Sequence, residues 1–65
     1  MKMPIKCPVC GRWLTFPRRK TIIQKLERLE KHIRTQHPEV AEKMPHFSVG
    51  YYLDEYGRMI GVLSE

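Results

Sequence analysis

The most regular feature of the chain is a set of apolar residues spaced three and four positions apart in its middle third. These residues are Ile22, Leu26, Leu29 and Ile33. On an α-helix this spacing puts the side chains on one face, so the segment predicts an amphipathic helix. Thr21 and Gln24 fit a capping box at its start, and Pro38 pushes the preceding residue out of the helical region. We therefore predict a helix from about Thr21 to Gln36.

A first β-hairpin is predicted from Ile5 to Phe16. The segment from Cys7 to Gly11 forms its turn, and Gly11 suits a backbone that bends tightly because glycine tolerates φ > 0. The second strand is expected at Trp13 to Phe16, where good strand formers cluster. Trp13 and Phe16 could stack on unpaired bases, but packing in the core is the favoured interpretation.

A second hairpin is predicted near the end of the chain. Apolar residues alternate with small or polar ones from Phe47 to Leu53, and Met59 to Leu63 provides the returning strand. The turn between them ends at Gly57, which is placed for a left-handed conformation. The pattern leaves open whether this hairpin packs on the preceding unit or extends its sheet.

These elements predict a small α+β fold in which a ββα unit is followed by a C-terminal β-hairpin. The expected organisation is a ββα unit at 1–38, a connector at 39–46 with room for one helical turn, and the hairpin at 47–65, packed together as one domain. A chain of 65 residues buries only about 60% of its unfolded surface, so its core alone gives marginal stability. Chains of this size usually need a disulfide, a metal or a partner chain.

The two cysteines favour a metal over a disulfide. A bridge within Cys-x-x-Cys would close almost no chain and so would constrain little of the unfolded state. The first residues lack the apolar run of a signal peptide, and no segment approaches the roughly 20 apolar residues of a membrane span. We therefore expect an intracellular protein, in the cytoplasm or a nucleus-equivalent host compartment. In such a reducing environment a cysteine pair is more often metal-binding or redox-active.

Four residues have the chemistry and spacing of a structural zinc site. They are Cys7, Cys10, His32 and His37. Zinc favours thiolate and imidazole ligands in a tetrahedron, and structural sites often use two of each. Helical positions five apart lie about 140° around the axis, so the last turn must tighten or unwind before both histidines can meet one ion. Pro38 gives a reason for this distortion.

The chain resembles the C2H2 zinc-finger family over residues 7 to 37. Leu14 stands four residues after the second cysteine, Leu29 stands three before the first histidine, and Pro38 follows the second histidine, as in that family. The 21 residues between Cys10 and His32 exceed the usual spacer of about 12. In this respect the chain is similar to small single-finger proteins of hyperthermophilic archaea and their viruses.

Other interpretations of these residues are weaker. A redox cysteine pair usually begins a helix in a thioredoxin-like fold, and that context is missing here. Either ligand histidine could be a surface residue, but two at finger spacing argue against it. His46 is a spare histidine, expected on the surface or in packing. A catalytic zinc needs an open position and a nearby acid or base, so we expect no enzyme and no small-molecule substrate.

Charge is distributed unevenly along the chain. Residues 1–37 carry ten Lys or Arg against Glu27 and Glu30, a net charge of +8, whereas residues 38–65 carry −3. A basic half beside an acidic half suggests a surface for a polyanion. An ordinary solvated surface is the alternative interpretation.

The family resemblance implies which residues would contact duplex DNA. Counting back from the first histidine, the base-reading positions are Lys25, Glu27, Arg28 and Lys31. A basic segment at the helix entrance would bind phosphate and consists of Arg18, Arg19 and Lys20. We therefore predict a zinc-dependent DNA-binding protein that regulates transcription.

The alternative function is a zinc-stabilised protein-interaction module. Residues 47–63 form apolar strands with a tyrosine cluster on the acidic half, and an exposed hairpin edge can accept a strand from a partner.

Overall fold

The computed structural model describes residues 4–17 and 19–65, and it has the predicted α+β fold. Its elements are β1 (Ile5–Lys6), β2 (Trp13–Leu14), α1 (Ile22–Gln36), α2 (Pro38–Lys43), β3 (Ser48–Leu53) and β4 (Met59–Ser64). A ββα unit is thus followed by a hairpin, and α2 is the helical turn expected in the connector. No helix in the described ranges is both long and apolar enough to cross a membrane.

The long helix α1 begins at the predicted capping box. The Thr21 hydroxyl accepts a hydrogen bond from the Gln24 amide at 3.2 Å, and the Gln24 side-chain oxygen accepts one from the Thr21 amide at 3.0 Å. At the other end His37 leaves the helical conformation, with φ −131° and ψ 61°, and Pro38 starts α2. The predicted limits are therefore confirmed, with Thr21 as the cap.

The two hairpins form one four-stranded sheet in the order β2-β1-β4-β3. β1 pairs antiparallel with β2 and parallel with β4, where Ile5 lies opposite Met59. β3 and β4 pair antiparallel along their full lengths, from Ser48 opposite Ser64 to Leu53 opposite Met59. The C-terminal hairpin therefore extends the sheet of the ββα unit, which settles the choice that the sequence left open.

Gly61 makes the junction between β4 and the ββα unit possible. A Cβ atom at this position would lie 2.7 Å from the Lys6 carbonyl oxygen and 2.8 Å from Cδ2 of Leu29. Only glycine fits where β4 passes this close to both β1 and α1. This contact could not be predicted from the sequence, because both neighbours are distant from Gly61 along the chain.

The core lies between α1 and the sheet. Its buried apolar side chains are Ile5, Cys7, Phe16, Leu29, Ile33, Phe47 and Met59. One expectation was wrong: Trp13, for which packing in the core was the favoured interpretation, is 36% exposed. Ile22, the first residue of the apolar stripe, is 44% exposed. Side chains alternate along a strand, so Leu14, which is half-buried against the core, and Trp13 point to opposite faces of the sheet, and Trp13 lies beside Lys6.

Candidate metal centre and basic helix face

The turn after β1 brings both cysteines to one side of the sheet. The Cys7 amide donates to the Arg12 carbonyl at 2.8 Å, and the Gly11 amide donates to the Cys7 carbonyl at 3.0 Å. Gly11 has φ +76°, the conformation expected from its position after the second cysteine. Cys7 is buried and Cys10 is exposed, so the pair spans the boundary between core and solvent.

Both histidines lie at the C-terminal end of α1. His32 is on its buried face, only 6% exposed. His37 is the C-cap, and its amide donates to the Ile33 carbonyl at 2.8 Å while its own backbone leaves the helix. The unwinding predicted for a pair of histidines five positions apart is therefore present, and it turns the second imidazole toward the first.

The four side chains meet at one point. One ligand atom from each of Cys7, Cys10, His32 and His37 lies within 4.8 Å of all the others. The Cys10 Sγ atom is 3.7 Å from Nε2 of His32. The edges of a tetrahedral zinc site with two sulfurs and two nitrogens are about 3.3–3.8 Å, given the usual metal–ligand lengths. The cluster therefore needs only a small contraction to coordinate one ion.

One atom of the cluster gives independent support for a metal. Nε2 of His37 is buried and has no hydrogen-bond partner among the described residues. A buried polar atom without a partner is costly, and a metal ion at the centre of the cluster would satisfy it. The other ring nitrogen, Nδ1, lies 3.9 Å from a carboxylate oxygen of Glu39, on the side where metal-binding histidines usually find an orienting group.

Local electrostatics also favour metal binding. The hydrogen bond with His32, helped by one from the Arg12 backbone, lowers the pKa of the Cys10 thiol to about 6. The thiolate is the form that coordinates metals, and it predominates at neutral pH when the pKa is this low. The Cys2His2 cluster can therefore hold one metal ion and would offer it four protein ligands.

The residues predicted to contact DNA lie mostly on the outside of the molecule. Arg19, Lys20, Arg28 and Lys31 are exposed, as is Glu27, and Lys25 is half-buried. Arg18 lies outside the described residues. In residues 4–17 and 19–65 the ion pairs between charged side chains are Glu30–Arg34 and Asp54–Arg58. None of the predicted DNA contacts in these ranges is therefore neutralised in this way.

A groove beside the basic face was not predicted. It has a volume of about 500 Å³ and lies between the segment 13–17 and the start of α1. Its apolar wall includes Trp13, Leu14 and Phe16, and its polar wall includes Lys20, Gln24 and Arg28. A sequence signal existed, since Gln24 and Arg28 are one helical turn apart, but nothing in the sequence placed β2 opposite them.

His46 is exposed on the surface, which is one of the two positions that were predicted for it.

Comparison with known protein families, with curated proteins and with solved structures found no match. The likeness to a C2H2 site therefore depends on the geometry of the chain itself. Four ligands of the right chemistry lie close together at the junction of a β-turn and a helix end, and this arrangement is compatible with a C2H2-like metal centre.

Proposed function

We propose that this chain is a zinc-dependent protein that binds duplex DNA through α1 and regulates transcription. Zinc is the metal best suited to two thiolates and two imidazoles at tetrahedral distances. Because all four coordination positions come from the protein, the role of the ion is structural. Zinc binding to finger peptides contributes an apparent ~10–16 kcal/mol at neutral pH, far more than a core of this size supplies.

The position of the four ligands explains how a metal would serve DNA binding. An ion held there would join the turn after β1 to the C-terminal end of α1, which are separated by the 21 residues between Cys10 and His32. This link would hold the apolar face of α1, with Leu29 and Ile33, on the sheet. The opposite face, with Arg28 and Lys31, is thereby kept toward solvent in a fixed orientation.

The observation that carries the DNA proposal is this exposed, basic face of α1. Arg28 and Lys31 have the donors that recognise O6 and N7 of guanine in the major groove, which is wide enough for a helix. The surrounding residues 1–37 carry a net charge of +8, which favours association with phosphate and is not matched elsewhere in the chain.

The groove beside α1 supports contact with the DNA backbone. Lys20 and Arg28 supply positive charge along it, while Leu14 and Phe16 line its apolar side. A deoxyribose ring fits against an apolar wall, and its phosphate fits the two cations. The first turn of α1 has no acidic residue that would repel the phosphate.

The test is fluorescence anisotropy with labelled duplex DNA, with zinc and with chelator, across a salt series. Arg28→Ala and Lys31→Ala each remove one positive charge from the proposed face, and Lys43→Ala removes one from α2 as a matched control. We expect zinc-dependent binding that weakens by about 0.9 log units per log unit of salt for each phosphate neutralised. Loss of the Arg28 contact should cost about 1–3 kcal/mol, which is about 5-fold to 150-fold in Kd.

The proposal fails if the zinc-loaded protein does not bind duplex DNA at low salt. It also fails if Lys43→Ala weakens binding as much as Arg28→Ala and Lys31→Ala, because binding would then depend on total charge and not on α1. A single reading helix specifies only about three base pairs. One copy of the chain alone should therefore discriminate poorly between sequences.

A further inference from the structure

In the part of the chain that the structure describes, β3 is an edge strand without a charged residue, a proline or a bulge. Among the described residues it pairs only with β4, through six consecutive residue pairs without a bulge. Edge strands of natural proteins usually carry a lysine, a proline, a bulge or an inward charge, which prevents pairing with another chain. The sequence of β3, Ser-Val-Gly-Tyr-Tyr-Leu, has no charged residue and no proline.

Apolar side chains are exposed along this edge on both faces of the sheet. Val49, Tyr51 and Leu53 lie on the helix side, since they face Leu63, Gly61 and Met59 of β4. Gly50 and Tyr52 lie on the other side. Tyr51 is 37% exposed, Tyr52 52% and Leu53 57%. Three consecutive exposed apolar residues on an open edge need a partner, because their exposure costs free energy in water.

We propose that β3 pairs antiparallel with β3 of a second copy of this chain, so that the dimer has one continuous eight-stranded sheet. A two-fold axis perpendicular to the sheet keeps each face on its own side, so residues opposite each other must point the same way. The register with Tyr51 opposite Tyr51 of the second copy meets this condition.

In this register every exposed side chain of the edge meets a complementary one. Val49 lies opposite Leu53 of the second copy, which gives two apolar pairs on the helix side. Gly50 lies opposite Tyr52 of the second copy, so an aromatic ring covers a residue without a side chain, a pairing known to stabilise sheets. A shift by two residues would leave Gly50 opposite Gly50 and would lose the pairs of Val49 with Leu53.

A groove on the helix side favours a second copy as the occupant. It has a volume of about 270 Å³ and lies between α1 and the start of β3, lined by Ile23, Leu26, Phe47 and Val49 and flanked by Glu27 and Glu30. Because Val49 would face Leu53 of the second copy, that leucine lies at the mouth of the groove. It would also cover Ile23, which is 68% exposed.

Charge does not oppose this pairing. The chain has a net charge of +5, but its positive charge is concentrated in residues 1–37, whereas residues 38–65 carry −3 and β3 itself carries none. The two-fold axis leaves both copies of α1 on the same face of the sheet. If α1 reads DNA as proposed above, a dimer presents two reading helices. It therefore specifies more than the about three base pairs that a single reading helix contacts.

The experiment measures the mass of the zinc-loaded protein in solution, without DNA, by light scattering and analytical ultracentrifugation across a dilution series. Tyr51→Lys and Tyr51→Glu put like charges opposite each other at the two-fold axis, so each variant should be monomeric. An equimolar mixture of the two should restore a dimer, because Lys then faces Glu. Tyr56→Lys and Tyr56→Glu are matched controls in the hairpin turn, where Tyr56 is 73% exposed and off the edge, and both should remain dimeric.

Circular dichroism and zinc content should be the same for all variants, which separates loss of the dimer from loss of the fold. A wild-type protein that stays monomeric at millimolar concentration overturns the proposal, as does a dimer that persists in Tyr51→Lys. A mixture of the two Tyr51 variants that stays monomeric overturns the self-paired register. Since no DNA is present, failure here is independent of failure of the DNA proposal.

Discussion

Replacing Gly61 by alanine tests the junction that joins the C-terminal hairpin to the ββα unit. The added Cβ would lie 2.7 Å from the Lys6 carbonyl oxygen and 3.2 Å from Cδ of Pro8. Carbon–oxygen contacts are usually no shorter than about 3.3–3.6 Å, so β1 and β4 would have to separate by about 0.6 Å or more. The obstacle is backbone, which cannot rotate away as the end of a side chain can. Overpacking of this kind costs about 1–3 kcal/mol.

For a domain of this size, the entropy of unfolding is about 140 cal/mol/K, so the cost corresponds to a fall in Tm of about 7–20 °C. Thermal denaturation followed by circular dichroism, at equal zinc and protein concentrations, measures this shift. Gly50→Ala is the matched control, because its Cβ would meet Cγ2 of Val62 at an ordinary 3.6 Å. If Gly61→Ala and Gly50→Ala have the same Tm, β4 does not pass as close to β1 as the 2.7 Å contact at Gly61 requires.

Three further predictions test the core, the metal site and the second turn. Leu29 is fully buried between α1 and the sheet, so Leu29→Ala should lower the free energy of unfolding, measured by chemical denaturation, by about 2–5 kcal/mol. Ile23 is on the exposed side of α1, so Ile23→Ala should change this free energy little in dilute, monomeric protein. Zinc binds the Cys10 thiolate, and the hydrogen bond with His32 lowers the pKa of this thiol to about 6. The apparent zinc affinity should therefore fall as pH falls through about 6, because protons then compete for the sulfur. Zinc titrations at several pH values measure this, and an affinity that does not fall below about pH 6 contradicts it. The Asp54 carboxylate accepts hydrogen bonds from the amides of Tyr56 and Arg58 and from the Arg58 guanidinium. Asp54→Ala should therefore lower Tm more than the neighbouring Glu55→Ala, and equal Tm values would show that the turn does not depend on this carboxylate.

Local features of the fold could be predicted from the sequence. The helix α1 follows from the spacing of Leu26, Leu29 and Ile33, and its start follows from Thr21 and Gln24, because these signals act within one or two helical turns. The turn of the second hairpin was predicted for the same reason, and Gly57 has the expected positive φ of 75°. The cluster of cysteines and histidines was predicted from ligand chemistry and spacing.

Contacts between distant segments could not be predicted in this way. The parallel pairing of β1 with β4 joins Ile5 to Met59 and depends on Gly61, yet no local pattern connects these positions. Trp13 is exposed because the other face of β2 is the one that packs against the core. A strand of two residues has too little alternation for the sequence to show which face is buried. Ile22 belongs to the helical stripe and is still 44% exposed, because a stripe shows which face is apolar and not how far the core extends beneath it.

The fold and the proposed function both depend on the Cys2His2 site, and a metal titration tests this site most directly. The chelated protein is titrated with Zn²⁺ while circular dichroism and native mass spectrometry record structure and stoichiometry, for wild type, His37→Ala and His46→Ala. We expect one ion per chain, helix and sheet signals that appear with the metal, unchanged binding in His46→Ala, and much weaker binding in His37→Ala. A circular dichroism spectrum that is the same with zinc and with chelator, or a zinc affinity of His37→Ala equal to that of wild type, would show that the cluster is not a structural zinc site.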